Sequence, residues 1–135
     1  MKRTIIHPPI IPVTINKCDE PEREKKNLRK KDRIRLEIQT DVFVEPKTGV
    51  KIIYPVTDKD YIVTGVVVRC DKENGHYNLV VEFVDTNNIT RVRMVEQICR
   101  IELYKRQVLN NEARSITKTQ AALEWIDKYA KDFMV

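Results

Sequence analysis

Residues 61–83, YIVTGVVVRCDKENGHYNLVVEF, decide the fold. Tyr61 to Cys70 is rich in valine and isoleucine, whose branched side chains suit a pleated surface. Asp71-Lys72-Glu73-Asn74-Gly75 supplies a turn, and Asn74-Gly75 is its strongest part. The tight hairpin turns that match strand twist need positive φ, which asparagine and glycine accept. His76 to Val84 returns as the second strand. A chain that spends its most apolar segment on a β-hairpin is predicted to be mainly β.

Working towards the N-terminus, residues 33–44 alternate with a period of two. Ile34, Leu36, Ile38 and Thr40 point one way and Arg33, Arg35, Glu37 and Gln39 the other, as in an antiparallel sheet with one wet face. The sides exchange around Asp41, after which Val42 and Val44 take the buried positions. Pro46-Lys47-Thr48-Gly49 is a turn signal, Val50–Tyr54 a short return strand, and residues 55–60 a loop. Residues 1–22 read as an extended leader, because Pro8, Pro9 and Pro12 remove backbone donors. Ile5, Ile6, Ile10, Ile11, Val13 and Ile15 are too many for a tail that touches nothing. The leader is predicted to lie along the domain as an edge strand or to dock on a partner, and an isoleucine-rich edge invites a homodimer. Residues 23–32 read as a polar linker or a short helix.

Beyond the hairpin the period becomes helical. Val92, Val95, Ile98/Cys99, Arg106 and Leu109 predict a helix over 88–109, ended by Asn110-Asn111. Thr117-Lys118-Thr119-Gln120 has the form of a capping box. Ala122, Trp125, Ile126, Tyr129 and Phe133 then follow the stripe of an amphipathic helix. The expected organisation is a leader and basic linker (1–27), a β domain with its closing helix (28–109) and a C-terminal amphipathic helix (110–135).

At 135 residues and 41% apolar content the chain supports one domain with one core. No run of 18 or more apolar residues is present, so no spanning helix is expected. The opening MKRTIIHPPIIPVTINK carries cations like a signal sequence, but His7 and the prolines break its apolar stretch. Cys18, Cys70 and Cys99 form no CxxC, and an odd number fits a reduced, cytoplasmic chain. His7 and His76 stand apart in the sequence, which argues against a zinc site. There is no GxSxG, HExxH or Walker loop. Asp58 and Asp60 read as turn residues, and Cys70 and Cys99 as small core residues. Neither an enzyme nor a cofactor is expected.

The charge is uneven. Eight cations against two acids give residues 23–35 a net charge of +6, so the rest of a +5 chain carries −1. One discrete anion-binding patch is favoured over the wrapping of nucleic acid. Arginine pairs with phosphate through two bonds and stacks on bases, so Arg29 and Arg33 could converge on a diphosphate. The plainer reading is a solvated charge run that protects a strand edge. The segment Arg29-Lys-Lys-Asp-Arg33-Ile-Arg-Leu-Glu-Ile-Gln-Thr-Asp-Val-Phe-Val resembles the opening of a PilZ domain, where RxxxR precedes the first barrel strand. Residues 61–85 are similar to that family's closing strands, with Val80 where glycine is usual, and residues 98–107 to its C-terminal helix. The resemblance spans residues 28–107.

It implies a small six-stranded antiparallel β barrel with C-terminal helices, serving as a bacterial receptor for cyclic di-GMP. Arg29 and Arg33 would hold the phosphates and guanine edges, with Arg35, Asp60 and Gly65 as further ligand-binding residues. The nearest counterpart of the family's D/N-x-S-x-x-G motif is Asp60-Tyr-Ile62-Val-Thr-Gly65, with Ile62 in the serine position. Three functions follow as expectations. One is a cyclic di-GMP receptor that signals to a protein partner by ordering the RxxxR segment. The second is a PilZ-like adaptor that has lost nucleotide binding. The third is a β-barrel nucleic-acid module, which the five tyrosines disfavour because they lack stacking-platform spacing.

Overall fold

A computed structural model describes residues 4–18, 29, 32–55, 61–112 and 115–129. Six strands are followed by two helices: β1 (Thr4–Ile6), β2 (Thr14–Cys18), β3 (Ile34–Thr40), β4 (Gly49–Tyr54), β5 (Tyr61–Glu73), β6 (His76–Phe83), α1 (Thr86–Glu112) and α2 (Lys118–Tyr129). The strands form one sheet in the order β1-β3-β6-β5-β4-β2. The expectation of a mainly β chain with C-terminal helices is borne out. The sheet is mixed rather than wholly antiparallel, because β1 runs parallel to β3. No ladder joins β1 to β2 among the described residues, so the sheet has two edges.

The β5–β6 hairpin turns at Asn74 and Gly75, both at positive φ (44° and 84°). The strands run further than expected, since Asp71, Lys72 and Glu73 still pair with Asn78, Tyr77 and His76. A register shift between Val67 and Arg69 leaves Val68 as an extra residue on β5, the arrangement of a bulge that bends a strand. The turn at Lys47 (φ 73°) is present, but it does not close a hairpin. β3 pairs with β1 and β6, whereas β4 pairs with β2 and β5. Lys47 N–H and Thr48 C=O instead bond to Val67 at 2.7 and 2.9 Å, carrying the chain across to the far half of the sheet.

The leader forms both edges of the sheet, β1 beside β3 and β2 beside β4. Ile5 and Ile11 are buried with Ile34, Leu36, Ile38, Val63 and Phe83 in the main core. Val44 is buried as expected, but Val42 is 63% exposed because the chain leaves the sheet after Thr40.

α1 begins one residue after Asp85, whose carboxylate accepts the Asn88 N–H at 2.8 Å, as an N-cap does. Its Ile89, Val92, Val95 and Cys99 pack on the sheet. The buried stripe then rotates to Tyr104 and Val108, which meet Ile116, Ala121 and Trp125 in a second cluster. Leu109, expected inside, is 54% exposed. Thr117 caps α2 by accepting the Gln120 N–H at 3.1 Å. Trp125 is buried as expected, while Ile126 and Tyr129 lie half exposed; Phe133 lies outside the described residues.

Candidate functional site

The cationic segment meets the sheet at the start of β3. Ile34, Leu36 and Ile38 face the core, so Arg33 and Arg35 fall on the outer face. Register places Arg35 opposite Glu82 of β6. Arg33 Nη1 donates to Glu82 Oε1 at 3.0 Å and Arg35 Nε to Oε2 at 3.1 Å. One carboxylate therefore has both oxygens engaged by two guanidiniums. Arg29 is exposed, and its carbonyl accepts the Asp32 N–H at 2.9 Å in a turn just before the strand.

Gly65, also expected at the ligand site, does not join this cluster. Asp60 lies outside the described residues. Gly65 sits in the middle of β5 on the buried face shared with Val63 and Val67, opposite the face that carries Arg35 and Glu82. A Cβ there would stand 2.6 Å from Val81 Cγ1 and 2.9 Å from the Glu82 carbonyl. Glycine is needed at this position for close packing between β5 and β6.

Among the described residues, the most buried polar cluster is elsewhere. His7, Tyr54 and Glu96 are 2%, 0% and 0% exposed. His7 directly follows β1, and a turn closed by Ile11 N–H to Pro8 C=O at 3.1 Å aims its ring at α1. Nε2 lies 2.6 Å from the Ile11 carbonyl, an acceptor only, so this nitrogen is the donor. Nδ1 faces Glu96 Oε2 at 2.7 Å, and the Tyr54 hydroxyl donates to the same oxygen at 2.7 Å. Glu96 Oε1 is buried with no hydrogen-bond partner. One helical turn on, Cys99 lies fully buried, and the ligating atoms of His7, Glu96 and Cys99 all fall within 4.8 Å of one another. Burial first, then the Glu96 charge, pushes the Cys99 thiol up to about 12. The same two causes raise the Tyr54 phenol well above its usual range.

Sequence reasoning read His7 as a break in an apolar run and did not single out Glu96. The available signal was a carboxylate lying within the Val92–Val95–Cys99 stripe, a position that burial makes costly without a partner.

Among the described residues, grooves and an exposed apolar helix face also lie on the surface. A groove of about 410 Å³ runs between β2 and the end of β3, lined by Val13, Ile15, Gln39 and Thr40 among others. Another of about 450 Å³ lies among the leader, α1 and α2, with Ile11, Ile98 and Ile101 beside Lys105, Arg106 and Lys118. On α2, Leu123, Ile126 and Tyr129 are 65%, 54% and 47% exposed. Among the described residues no helix is long and apolar enough to cross a membrane. No family model, curated protein or solved structure matches the chain.

Proposed function

We propose that the protein is a non-catalytic, PilZ-like adaptor that works by binding a protein partner and has lost nucleotide recognition. The observation that carries this reading is Glu82, which engages Arg33 and Arg35 with one oxygen each. An incoming phosphate would have to displace a carboxylate already held by two charge-assisted bonds. Gly65 supports it too, since its role is packing inside β5. The exposed Leu123–Ile126–Tyr129 face of α2 gives a partner an apolar surface.

A barrel-like form of the sheet belongs to the same proposal. β2 and β3 stand four places apart in the strand order, yet they line one groove. On this reading the sheet curls until its two halves face each other, with β1 lying along β3 at Arg35–Glu37. The three free thiols suit a reducing cytoplasm.

The second reading is a cyclic di-GMP receptor. What favours it is position: Arg33 and Arg35 meet on the outer face of β3, and Arg29 is exposed in the turn just before that strand. Calorimetric titration with cyclic di-GMP separates the two. The adaptor gives no binding heat. Micromolar binding abolished by both Arg29→Ala and Arg33→Ala replaces it with the receptor, and oligonucleotide binding with a steep salt dependence replaces both.

A further inference from the structure

We infer that His7, Glu96 and Cys99 form a buried site for a single divalent ion of the zinc class, which ties the leader to α1. The inference stands on the core cluster alone and is independent of the proposed function. With Nε2–H committed to the Ile11 carbonyl, Nδ1 presents a lone pair. It faces a carboxylate oxygen at 2.7 Å. Two acceptors at that distance need a cation to offset their repulsion, either a proton between them or a metal ion bound alongside. A proton accounts for Oε2 only. It leaves Glu96 Oε1 buried and unpartnered, a costly state for a charged group.

A metal ion uses the whole cluster. Nδ1, Oε1 and Cys99 Sγ are three ligands of types that zinc takes, at about 2.0–2.1, 2.0–2.2 and 2.3 Å respectively. Binding through Oε1 leaves Oε2 free to keep the Tyr54 hydroxyl bond. The mixed N, O and S donors exclude the oxygen-seeking calcium and magnesium ions. The His7 bond to a backbone carbonyl is the outer contact that orients a metal-bound imidazole. Neutral imidazole, carboxylate and thiolate together carry −2, so the ion leaves the core uncharged. Tetrahedral coordination needs a fourth donor, which falls to an enclosed water. Because all three ligands are buried, the ion enters as the leader closes, during folding.

The test uses the full chain, unfolded with a chelator and refolded with one equivalent of Co²⁺ or Zn²⁺. The expected result is a stoichiometric complex, with Co²⁺ giving an intense thiolate charge-transfer band in the near ultraviolet and Zn²⁺ raising the thermal midpoint. Cys99→Ser, folded by circular dichroism, loses the band and the Zn²⁺ shift. Glu96→Gln binds at least tenfold more weakly, and Cys70→Ser behaves as the parent. Absence of the band in the refolded parent overturns the site and assigns the position to a proton. A band that survives Cys99→Ser overturns it as well, because the thiolate then comes from Cys18 or Cys70.

Discussion

Gly65→Ala tests whether the glycine that ends Asp60–Gly65 serves packing rather than a ligand. The backbone at Gly65 has no positive φ, so alanine is not barred there by its dihedral angles. The obstacle is space. The added methyl would lie 2.6 Å from Val81 Cγ1, 2.9 Å from the Glu82 carbonyl oxygen and 3.0 Å from Phe83 Cδ1, where ordinary contact is about 3.5–4.0 Å. Val81 is stiff at χ1 and fully buried, so its methyl has nowhere to turn. The Glu82 carbonyl belongs to the β5–β6 ladder, where Val66 pairs with Glu82, and can retreat only by lengthening that ladder. Overpacking of this kind costs about 1–3 kcal/mol. The reduced freedom of the unfolded chain returns about 0.4–1 kcal/mol. The expected net loss is about 1–2 kcal/mol, a fall of roughly 0.5–1 M in the urea midpoint for a domain of this size. Far-ultraviolet circular dichroism measures it. An unchanged or higher midpoint refutes the packing role, and a variant of parental stability that loses cyclic di-GMP binding restores Gly65 to the ligand site.

Three further outcomes are expected. Trp125→Ala removes the largest side chain of the second cluster, costing about 3–5 kcal/mol; hydrogen exchange should show the loss in α2 and the end of α1 while β3 and β6 stay protected, and equal loss throughout would contradict separate clusters. Glu82→Gln should cost only about 1 kcal/mol, because Arg35 is half exposed and water screens its pair; the gap from the parent in urea unfolding should narrow at high salt, and a gap that salt leaves unchanged refutes an ionic role. In the metal-free protein, folding favours the neutral Cys99 thiol and Tyr54 phenol, so the stability they hold is complete below pH 9 and is lost as pH rises towards about 12 and beyond; urea midpoints that stay flat across that window would contradict their burial.

What the sequence disclosed follows how local each determinant is. The Asn74-Gly75 turn is fixed by two residues' own φ preferences, and it was readable. The Pro46–Gly49 turn was equally visible, but a turn does not name its strands' partners; Val67 does that by taking both Lys47 and Thr48. The apolar leader was legible as an edge, yet a three-residue strand such as β1 gains its parallel register from the packing of Ile5 rather than from its own pattern. Along α1 a fixed 3.6-residue stripe pointed to Leu109, whereas the change of neighbour from sheet to α2 rotated burial to Val108. The arginines were visible as charge, but their partner Glu82 lies 49 residues from Arg33 and is selected by the β3–β6 register. His7 and Glu96, 89 residues apart, required the whole fold to meet.

The same contacts determine which surfaces a partner can reach. The leader is built into the domain: Ile5 and Ile11 fill the main core, His7 N–H extends the β1–β3 pairing by bonding to Glu37 C=O at 2.9 Å, and Arg100 donates to the Ile6 carbonyl. Moving it aside would uncover Leu36 and Ile38 and leave Glu96 in the core without its neighbouring imidazole, a large penalty for a buried carboxylate. α2 differs, because it rests on α1 through a small cluster and turns Leu123, Ile126 and Tyr129 outward. A partner that takes up this face gains apolar burial without disturbing the sheet, the polar cluster or the arginines on Glu82. On the proposed adaptor reading, recognition and folding fall to different parts of the chain, and surface variants on α2 weaken a complex while the sheet keeps its stability.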